Sequence, residues 1–396
     1  WLRSRTRWPS SAAEHPVRGL GGGDGVGGED RARRAHEAVE AVVPRWGASS
    51  AAVGTPAGLS SDIEAVFDQN QRRDKGAVMQ DQRGATFCAA AVQDSSVWLD
   101  RAASTEKACA LIEQAGSAGA DIVALPESFV PGFPYWVFVK PLAETTGWHA
   151  RLHEQAVEIP GRETDALVAA ARRGGVIAVV GVTEREPGAI GTLYNTNVVV
   201  GPDGLLGKHR KLVATWAERV VWAGGDGSTL GVFPTPFGPL GTLNCGENLN
   251  SLARYALLAQ GERIHVANFP SAAVAGARHS PEELFLHVAP HAYEGKVFSI
   301  CSSEYGTAEV AAELGLPFDL PEGTYNSISG VIGPNGAWVT PPLADEPGIV
   351  YAECDPSLIV QGRLFHDIVG HYNRFDVLRL AIDRTARSPL HELDDR

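Results

Sequence analysis

Leu243–Asn248, with the sequence Leu-Asn-Cys-Gly-Glu-Asn, is the stretch around which the rest of the chain can be arranged. A mostly apolar run over residues 240–243 leads into Cys245, and apolar residues at helical spacing follow over 248–260. Candidate caps of this helix are Asn248, Asn250 or Ser251 at its start and Gly261 at its end. The pattern predicts that Cys245 lies where a strand meets a helix, whose positive end favours the thiolate. The alternative is a buried structural cysteine.

Composition predicts a soluble globular protein with an acidic surface. The chain has 396 residues, 44% hydrophobic and 20% charged, which suits one large domain or two modest ones. The net charge of -13 argues against nucleic acid and anionic membranes as partners. No apolar run approaches the roughly 18 residues that span a bilayer. We therefore expect neither nucleic acid nor a membrane as a partner.

The cysteines give no disulfide or zinc pattern. They are widely spaced along the chain: Cys88, Cys109, Cys245, Cys301 and Cys354. Their number is odd and no two form a CxxC pair, so neither a disulfide framework nor a metal site is indicated. The simplest interpretation is a cytoplasmic protein with one reactive thiol.

Residues 1–78 differ in character from the remainder. They contain a Gly-rich run at 21–28, many Arg, Pro and Ser residues, and little apolar periodicity. Because the single methionine is Met79, we expect the natural start at or near it, with the earlier residues a non-native upstream extension or a disordered one. A folded domain is then expected over 79–380 and a C-terminal tail over 381–396.

Strands and helices alternate with hairpins in the pattern of the remaining chain. Strands are predicted at 86–92, 121–125, 176–183, 264–268, 297–302 and 349–354. Helices are predicted from Ser104, as its cap, to near Gly119, and at 164–173 and 281–294. Three hairpins are predicted around 201–204, 236–239 and 334–336, the last two with strands at 230–233 and 337–340. This order predicts mixed sheets covered by helices.

Two charged residues stand where predicted strands end. Glu127 follows the strand that stops at Pro126, and Lys211 follows the second strand of the first hairpin. Sites in layered α/β folds collect at strand ends. The other interpretation is a solvated loop carboxylate, together with a Lys211–Glu218 ion pair on the surface that is worth about 0–1 kcal/mol.

At this point the chain resembles the nitrilase branch of the carbon–nitrogen hydrolase superfamily. The matching segments are 125–136 (Leu-Pro-Glu-Ser-Phe-Val-Pro-Gly-Phe-Pro-Tyr-Trp), 209–212 (His-Arg-Lys-Leu), 217–219 (Ala-Glu-Arg), 225–229 (Gly-Asp-Gly-Ser-Thr), 245–248 (Cys-Gly-Glu-Asn), 370–372 (Gly-His-Tyr) and 376–377 (Asp-Val). The resemblance covers roughly residues 86 to 380. It implies an α/β fold, an αββα sandwich of two mixed β-sheets flanked by helix layers, without metal or organic cofactor.

The resemblance also implies four catalytic residues, Glu127, Lys211, Cys245 and Glu218. Cys245 would attack the nitrile carbon, while Glu127 takes the thiol proton and later activates water. Lys211 would stabilise the developing negative charge, and Glu218 would orient Lys211. A thioimidate forms first, then a thioester, and water finally releases the acid. Glu247 is the one carboxylate that could be confused with Glu127.

The substrate pocket implied by the resemblance is lined by Phe133, Trp222, Gly246, Phe269 and Pro270. The family usually carries Trp directly after the catalytic cysteine and often Tyr at the position of Phe133. Glycine at 246 should widen the pocket, so we expect a bulkier or arylaliphatic nitrile.

Other functions remain open from the sequence. An amidase or carbamoyl hydrolase of the same superfamily would use the same residues on a planar carbonyl group. A nitrilase could also stop at the amide, since its tetrahedral intermediate can expel sulfur instead of ammonia. A non-catalytic assembly subunit is the alternative from another class. The resemblance further implies a small nitrile or amide as substrate, and a homodimer or a larger homo-oligomer such as a spiral.

Overall fold

The computed structural model describes residues 85–188, 190–274, 281–318 and 326–387. Its strands are β1 (Phe87–Gln93), β2 (Ile122–Ala124), β3 (Ile177–Arg185), β4 (Leu193–Gly201), β5 (Gly204–Arg210), β6 (Leu240–Asn244), β7 (Ile264–Phe269), β8 (Phe298–Ser303), β9 (Ile328–Ile332), β10 (Leu343–Ala344) and β11 (Gly348–Cys354). Its α-helices are α1 (Arg101–Ser117), α2 (Trp136–Val139), α3 (Thr146–Gln155), α4 (Arg162–Gly174), α5 (Ser251–Leu258), α6 (Pro281–Gly295), α7 (Ala308–Glu313) and α8 (Ser357–Arg363). Short 3₁₀ turns occupy Leu142–Glu144, Trp216–Val220 and Cys245–Leu249.

Two mixed sheets form the centre of the described fold. The first has six strands in the order β11-β1-β2-β3-β4-β5, and the second has five in the order β10-β9-β8-β7-β6. In the first sheet β1, β2 and β3 run parallel while β11, β4 and β5 pair antiparallel. In the second sheet β6, β7 and β8 run parallel, and β9 and β10 join antiparallel. The predicted mixture of parallel and hairpin connections is confirmed.

Successive side chains along a strand point to opposite faces of the sheet, and this alternation places the apolar layers on both sides of it. On β1, Phe87, Ala89 and Ala91 pack in the cluster between the two sheets, together with residues of β7 and β8. Their neighbours Ala90 and Val92 pack on the other face, against α1 and α4. On the far side, α6 packs against β7, β8 and β9. The order helix, sheet, sheet, helix confirms the predicted αββα sandwich.

The prediction that Ser104 caps the first helix is wrong. The helix begins at Arg101, and the side chain of Asp100 caps it by accepting the backbone N–H of Ala103 at 3.0 Å. Ser104 instead donates its hydroxyl to the carbonyl of Val97. An aspartate one turn earlier therefore takes the capping position.

One of the three predicted hairpins is confirmed, namely β4 and β5 around residues 201–204. The residues 230–233 do not form a strand, and only Phe233 makes a bridge to Leu240. Residues 337–340 likewise contribute a single bridge, from Trp338 to Ile332. The turns exist, but β6 pairs with β7 and β9 pairs with β8 and β10, so distant strands replace the local partner.

The predictions for residues 1–78 and for 388–396 lie outside the described residues. The described end of the chain runs along the second sheet's side of the domain, where Arg384 donates to the carbonyl of Leu230 and to the side chain of Gln260. In the ranges that the structure describes, no helix is both long and apolar enough to cross a bilayer.

Candidate active site

Cys245 lies on a tight turn between β6 and α5. The turn Cys245–Leu249 is a 3₁₀ helix, and α5 begins only at Ser251, capped by the side chain of Asn250. The predicted strand–helix junction and the candidate cap Asn250 are confirmed, but the 3₁₀ turn separates Cys245 from the first turn of α5, so the expected stabilisation of the thiolate by the end of that helix is wrong. Cys245 itself has φ 49°, in the left-handed region that non-glycine residues rarely adopt. Such backbone strain is characteristic of residues whose orientation matters.

The structure brings Glu127, Lys211, Glu218 and Cys245 into one cluster. Lys211 Nζ donates to Glu127 Oε1 at 2.9 Å and to Glu218 Oε2 at 2.7 Å. One oxygen of each carboxylate and the Cys245 sulfur all lie within 4.8 Å of one another. The two carboxylates and the lysine are almost completely buried, whereas Cys245 is partly exposed. The proposed surface ion pair between Lys211 and Glu218 is thus a buried one.

Glu127 is positioned by the first sheet. It stands just after β2, where the loop packs so closely on β3 that a Cβ at Gly181 would lie 2.3 Å from the carbonyl oxygen of Pro126. Asn195, on β4, donates its side-chain amide to Glu127 Oε1 at 2.6 Å. The other oxygen, Oε2, is buried and has no hydrogen-bond partner among the described residues. One carboxylate oxygen is therefore held and the other is available.

Lys211 is positioned by β4, the strand that carries Asn195. It follows β5, and its backbone N–H donates to the carbonyl of Asn195 at 2.8 Å. Glu218 lies on the 3₁₀ turn Trp216–Val220, where its Oε2 also accepts the backbone N–H of Thr215 at 2.8 Å. Asn195 thus touches both halves of the Glu127–Lys211 pair.

Burial controls the protonation of the cluster. Burial, opposed by Lys211, raises the pKa of Glu127 to about 7. Burial also opposes the charge on Lys211, but the carboxylates of Glu127 and Glu218 outweigh it and hold the pKa of the ammonium above its usual value. Burial and the Glu127 carboxylate raise the pKa of Cys245 well above the ordinary range. Cys245 therefore rests as a thiol, which corrects the expectation of a lowered cysteine pKa.

Glu247 serves the turn and not the cluster. Its two oxygens accept from the backbone N–H groups of Leu212 at 2.8 Å and Asn244 at 3.1 Å, and Oε2 lies 3.0 Å from His209 Nε2. Although burial acts against its charge, His209 and these donors lower the pKa of Glu247. Its acceptor sites face the scaffold, which separates it from Glu127.

Several polar residues around the cluster were not singled out from the sequence. They are Asn195, Tyr135, Glu304 and His265, all buried, while Asn248 was considered only as a helix cap. Tyr135 donates its hydroxyl to Glu304 and accepts the backbone N–H of Ser271 at 2.9 Å. Polar residues inside otherwise apolar strands could have indicated such buried positions, as in the run of three polar residues over 195–197 in β4. Nothing in such a run says which residue each side chain meets.

The predicted pocket residues fall into separate groups. Phe133 and Trp222 are both buried and meet edge to face, with ring centroids 5.3 Å apart. Phe269 belongs to a different apolar cluster, and Cys245 packs at its edge. Gly246 lines a cavity of about 210 Å³, and a Cβ there would lie 3.0 Å from Thr215 Oγ1. Pro270 follows Phe269 and is partly buried.

The donor atoms of Glu127, Glu218 and Cys245 are close enough for a metal ion. However, the Lys211 ammonium already lies between the two carboxylates. A second cation would face direct repulsion from that ammonium, so the cluster does not suit a metal.

Known proteins resemble this chain over most of its length. The family model for carbon-nitrogen hydrolase matches residues 88–363. An aliphatic nitrilase of Rhodococcus rhodochrous is 36% identical over 319 residues, which cover 77% of this chain and 85% of the relative. A nitrilase of Bacillus sp. (strain OxB-1) is 35% identical over 311 residues, covering 77% of this chain and 91% of the relative.

A solved structure shares the fold. It is a Saccharomyces cerevisiae member of branch 10 of the nitrilase superfamily, with a TM-score of 0.54 and 21% sequence identity. The superposition covers 71% of this chain and 94% of the yeast protein. At this identity the comparison establishes the shared architecture.

Proposed function

Since this chain belongs to the carbon–nitrogen hydrolase family, we propose that it is a nitrilase, which converts an organic nitrile and two water molecules into a carboxylic acid and ammonia. The observation that carries the proposal is the buried contact of Lys211 with Glu127 and Glu218 beside the Cys245 thiol. Similarity to curated nitrilases over most of both chains supports nitriles as the substrate class.

Glu127 is the general base of the proposed reaction. One of its carboxylate oxygens lies within 4.8 Å of the Cys245 sulfur, and its Oε2 has no hydrogen-bond partner among the described residues, so Glu127 can accept the thiol proton as sulfur attacks the nitrile carbon. With a pKa of about 7, the carboxyl group populates both protonation states near neutral pH. It can therefore take the proton from sulfur and return it to nitrogen.

Lys211 is the electrophilic residue. As sulfur adds to the nitrile, negative charge develops on nitrogen, and a buried ammonium stabilises it without reorganising. Glu218 fixes the direction of that ammonium through the 2.7 Å hydrogen bond. The backbone N–H of Gly246, which faces the Cys245 sulfur, provides a second donor at this point.

Hydrolysis then proceeds in two steps from the thioimidate. Water adds to the thioimidate carbon with Glu127 taking its proton, and collapse expels ammonia and leaves a thioester. A second water, activated in the same way, breaks the carbon–sulfur bond. The carboxylic acid departs and the proton returns to the Cys245 sulfur.

We also propose that the hydrolase domain covers 79–380, with 381–396 as a tail, and that the protein works in the cytoplasm.

We further propose that the protein forms a homodimer or a larger homo-oligomer. The described surface supports self-association, because large apolar side chains are exposed on α5, on α8 and just after it: Leu252, Leu358, Val360, Leu364 and Phe365. α5 and this segment are neighbours, since the Tyr255 hydroxyl contacts the carbonyl of Ile368. Sedimentation that gives only a monomer would reject this proposal.

The experiment that tests the activity is ammonia release from aliphatic, aromatic and arylaliphatic nitriles, with matched amides alongside. We expect ammonia and acid from nitriles, and none from Cys245→Ala. Release from amides alone would instead make the protein an amidase. No release from either class by folded protein would favour a non-catalytic subunit.

A further inference from the structure

A second buried ionic cluster lies next to the cysteine turn, outside the reacting groups. Glu262 is joined to two histidines: its Oε1 lies 2.7 Å from His265 Nδ1, and its Oε2 lies 2.7 Å from His291 Nε2. All three side chains are at most 1% exposed. Burying such groups is costly unless each is hydrogen-bonded. The proposed reaction does not use any of them.

This cluster reaches the nucleophile through Asn248. His265 Nε2 lies 2.8 Å from Asn248 Oδ1. The same amide donates its Nδ2 to the carbonyl of Leu243 at 3.1 Å and to that of Cys245 at 3.0 Å. Asn248 therefore holds the backbone on both sides of the bend at which Cys245 adopts its left-handed conformation.

The directions of these hydrogen bonds locate a proton. Because Asn248 Nδ2 must face two carbonyls, its oxygen faces His265, and His265 Nε2 must be the donor. His265 Nδ1 then meets a carboxylate oxygen at 2.7 Å, which requires a second proton shared with Glu262. Burial and the neighbouring His291 lower the pKa of His265, and the Glu262 carboxylate opposes them without outweighing them. The short contact therefore places this proton between His265 Nδ1 and Glu262 Oε1, so that the ring and the carboxyl group hold it together.

We propose that Glu262, His265 and Asn248 are positioning residues that hold the Cys245 turn in its reactive conformation. The inference rests on Cys245 being the nucleophile, as proposed above. Glu262 fixes the ring of His265, His265 fixes the amide of Asn248, and the amide clamps the turn. Without the clamp the strained Cys245 backbone can relax, and the sulfur moves relative to Glu127 and Lys211.

A zinc site is the other use for one carboxylate and two imidazoles. Here His265 Nδ1 and His291 Nε2 each lie at hydrogen-bond distance from an oxygen of Glu262. This leaves no space for a metal ion between the nitrogens and the carboxylate. Cationic groups also surround the cluster. Arg363 donates to the backbone carbonyl of Glu262, and the charge of Arg254 acts on His265. These contacts favour the hydrogen-bonded network.

The test compares His265→Leu with His265→Gln in the full-length protein. Leucine removes the donor to Asn248, so kcat should fall on the order of 10²-fold with little change in KM, because the nucleophile is misplaced while the pocket remains. Glutamine places an amide N–H near the position of Nε2 and should restore most of kcat. Ile264→Ala, a neighbour on β7 that packs between the sheets, is the matched control for lost stability. It should lower the thermal midpoint and leave kcat near that of the wild type.

A second variant keeps the inference testable if His265→Leu does not fold. Asn248→Asp is isosteric but replaces the donor to both carbonyls by an acceptor, so it should lower kcat in the same way. Because the two residues act through one route, the double variant with His265→Gln should be no slower than Asn248→Asp alone. Wild-type kcat in folded His265→Leu or in Asn248→Asp would overturn the proposal. Stoichiometric zinc that is lost in His265→Gln would overturn it as well.

Thiol labelling separates this inference from the proposed function. Alkylation of Cys245 by iodoacetamide, followed by peptide mass spectrometry, should slow in Asn248→Asp because the sulfur has moved away from its base. Turnover that survives in Cys245→Ala would defeat the nitrilase mechanism itself. An inactive Cys245→Ala, with wild-type labelling and kcat in Asn248→Asp, would defeat only the positioning role.

Discussion

Glu247 Oε1 accepts the backbone N–H of Leu212 at 2.8 Å, and this bond joins the turn that carries Cys245 to the strand end that carries Lys211. The same carboxylate accepts the backbone N–H of Asn244, directly before Cys245. Cys245 and Lys211 are therefore held in register by one buried side chain. The carboxylate that the sequence offers as an alternative to Glu127 is thus a brace between Cys245 and Lys211.

We expect Glu247→Ala to impair activity through position and stability together. The change leaves the N–H groups of Leu212 and Asn244 without their acceptor, at a cost of about 1–3 kcal/mol for each buried group. Thermal melting should show a lower midpoint, and kcat should fall. Glu184→Ala is the comparison, because Glu184 is equally buried but pairs with Lys208 and Arg210 away from the cysteine. If both variants lose kcat to the same extent, the brace has no special role.

Removing the ammonium should destabilise the protein more than removing the nucleophile. Lys211→Met leaves Glu127 and Glu218 buried and facing each other, at a cost of about 3–5 kcal/mol. Cys245→Ala removes no charge and should melt near the wild-type temperature. Chemical denaturation measures both.

A double variant checks the electrostatic origin of that cost. Lys211→Met combined with Glu218→Gln should recover part of the lost free energy of unfolding, because one of the two repelling charges is gone. Equal stability of the single and double variants would contradict the explanation. Neither variant should hydrolyse nitriles.

The pH profile should report Glu127. Because the carboxyl must be ionised to accept the thiol proton, kcat/KM should rise with pH through a limb near 7. Asn195→Ala should move that limb to higher pH, because the Asn195 amide stabilises the carboxylate. Asn197→Ala is the matched control, since Asn197 lies on the same strand but bonds to Thr242 and Asn268. A limb that shifts equally in both variants would assign it to another group.

Ionisation of Glu127 should raise kcat/KM but lower the free energy of unfolding. A carboxyl group whose pKa is raised from 4.5 to about 7 on folding binds its proton more tightly in the folded state. The unfolded chain binds fewer protons between these values, so the contribution of Glu127 to stability is present below pH 4.5 and is lost as the pH rises through 7. Glu127→Gln should remove this decline, as measured by denaturation at several pH values.

Gly246 should control the size of accepted nitriles. A larger residue there meets Thr215 Oγ1, so Gly246→Trp should lower kcat/KM for arylaliphatic nitriles more than for small aliphatic ones. Adding Thr215→Ala should relieve part of that loss. Gly231→Ala is the control, because a Cβ at that position has no neighbour closer than 3.7 Å. An unchanged ratio between the two substrate classes would show that the cavity beside Gly246 does not receive the substrate.

The sequence predicts the strands and turns better than it predicts which side chains contact one another. The strand that ends before Lys211 and the cysteine that follows β6 were both readable from local apolar patterns and turn residues. The basic run 208–211 was harder to interpret. In β5, alternation sends Lys208 and Arg210 to Glu184, while His209 and Lys211 point to the buried side. A run of like charges does not show which of its members find a buried partner.

Contacts between distant residues explain the remaining differences. Of the three candidate caps Asn250 is the one used, while Asn248 is engaged by His265 on β7, and a 3₁₀ turn separates Cys245 from α5. The lowered cysteine pKa was wrong because burial and Glu127, which lies on the other sheet, outweigh the ammonium. The contact of Asn248 with His265 joins neighbouring strands of the second sheet, and that of Cys245 with Glu127 joins the two sheets; local periodicity determines neither.

The buried ammonium between Glu127 and Glu218 also bears on how such proteins diverge. A descendant that abandoned catalysis could lose Cys245 with little penalty, yet any one of the three charged residues would be costly to lose alone. Selection for folding would then preserve the charged trio long after its chemistry had ceased. Within this architecture, the presence of the three charged residues indicates common ancestry and a requirement for stability. The residue at position 245 then distinguishes an active enzyme from an inactive descendant.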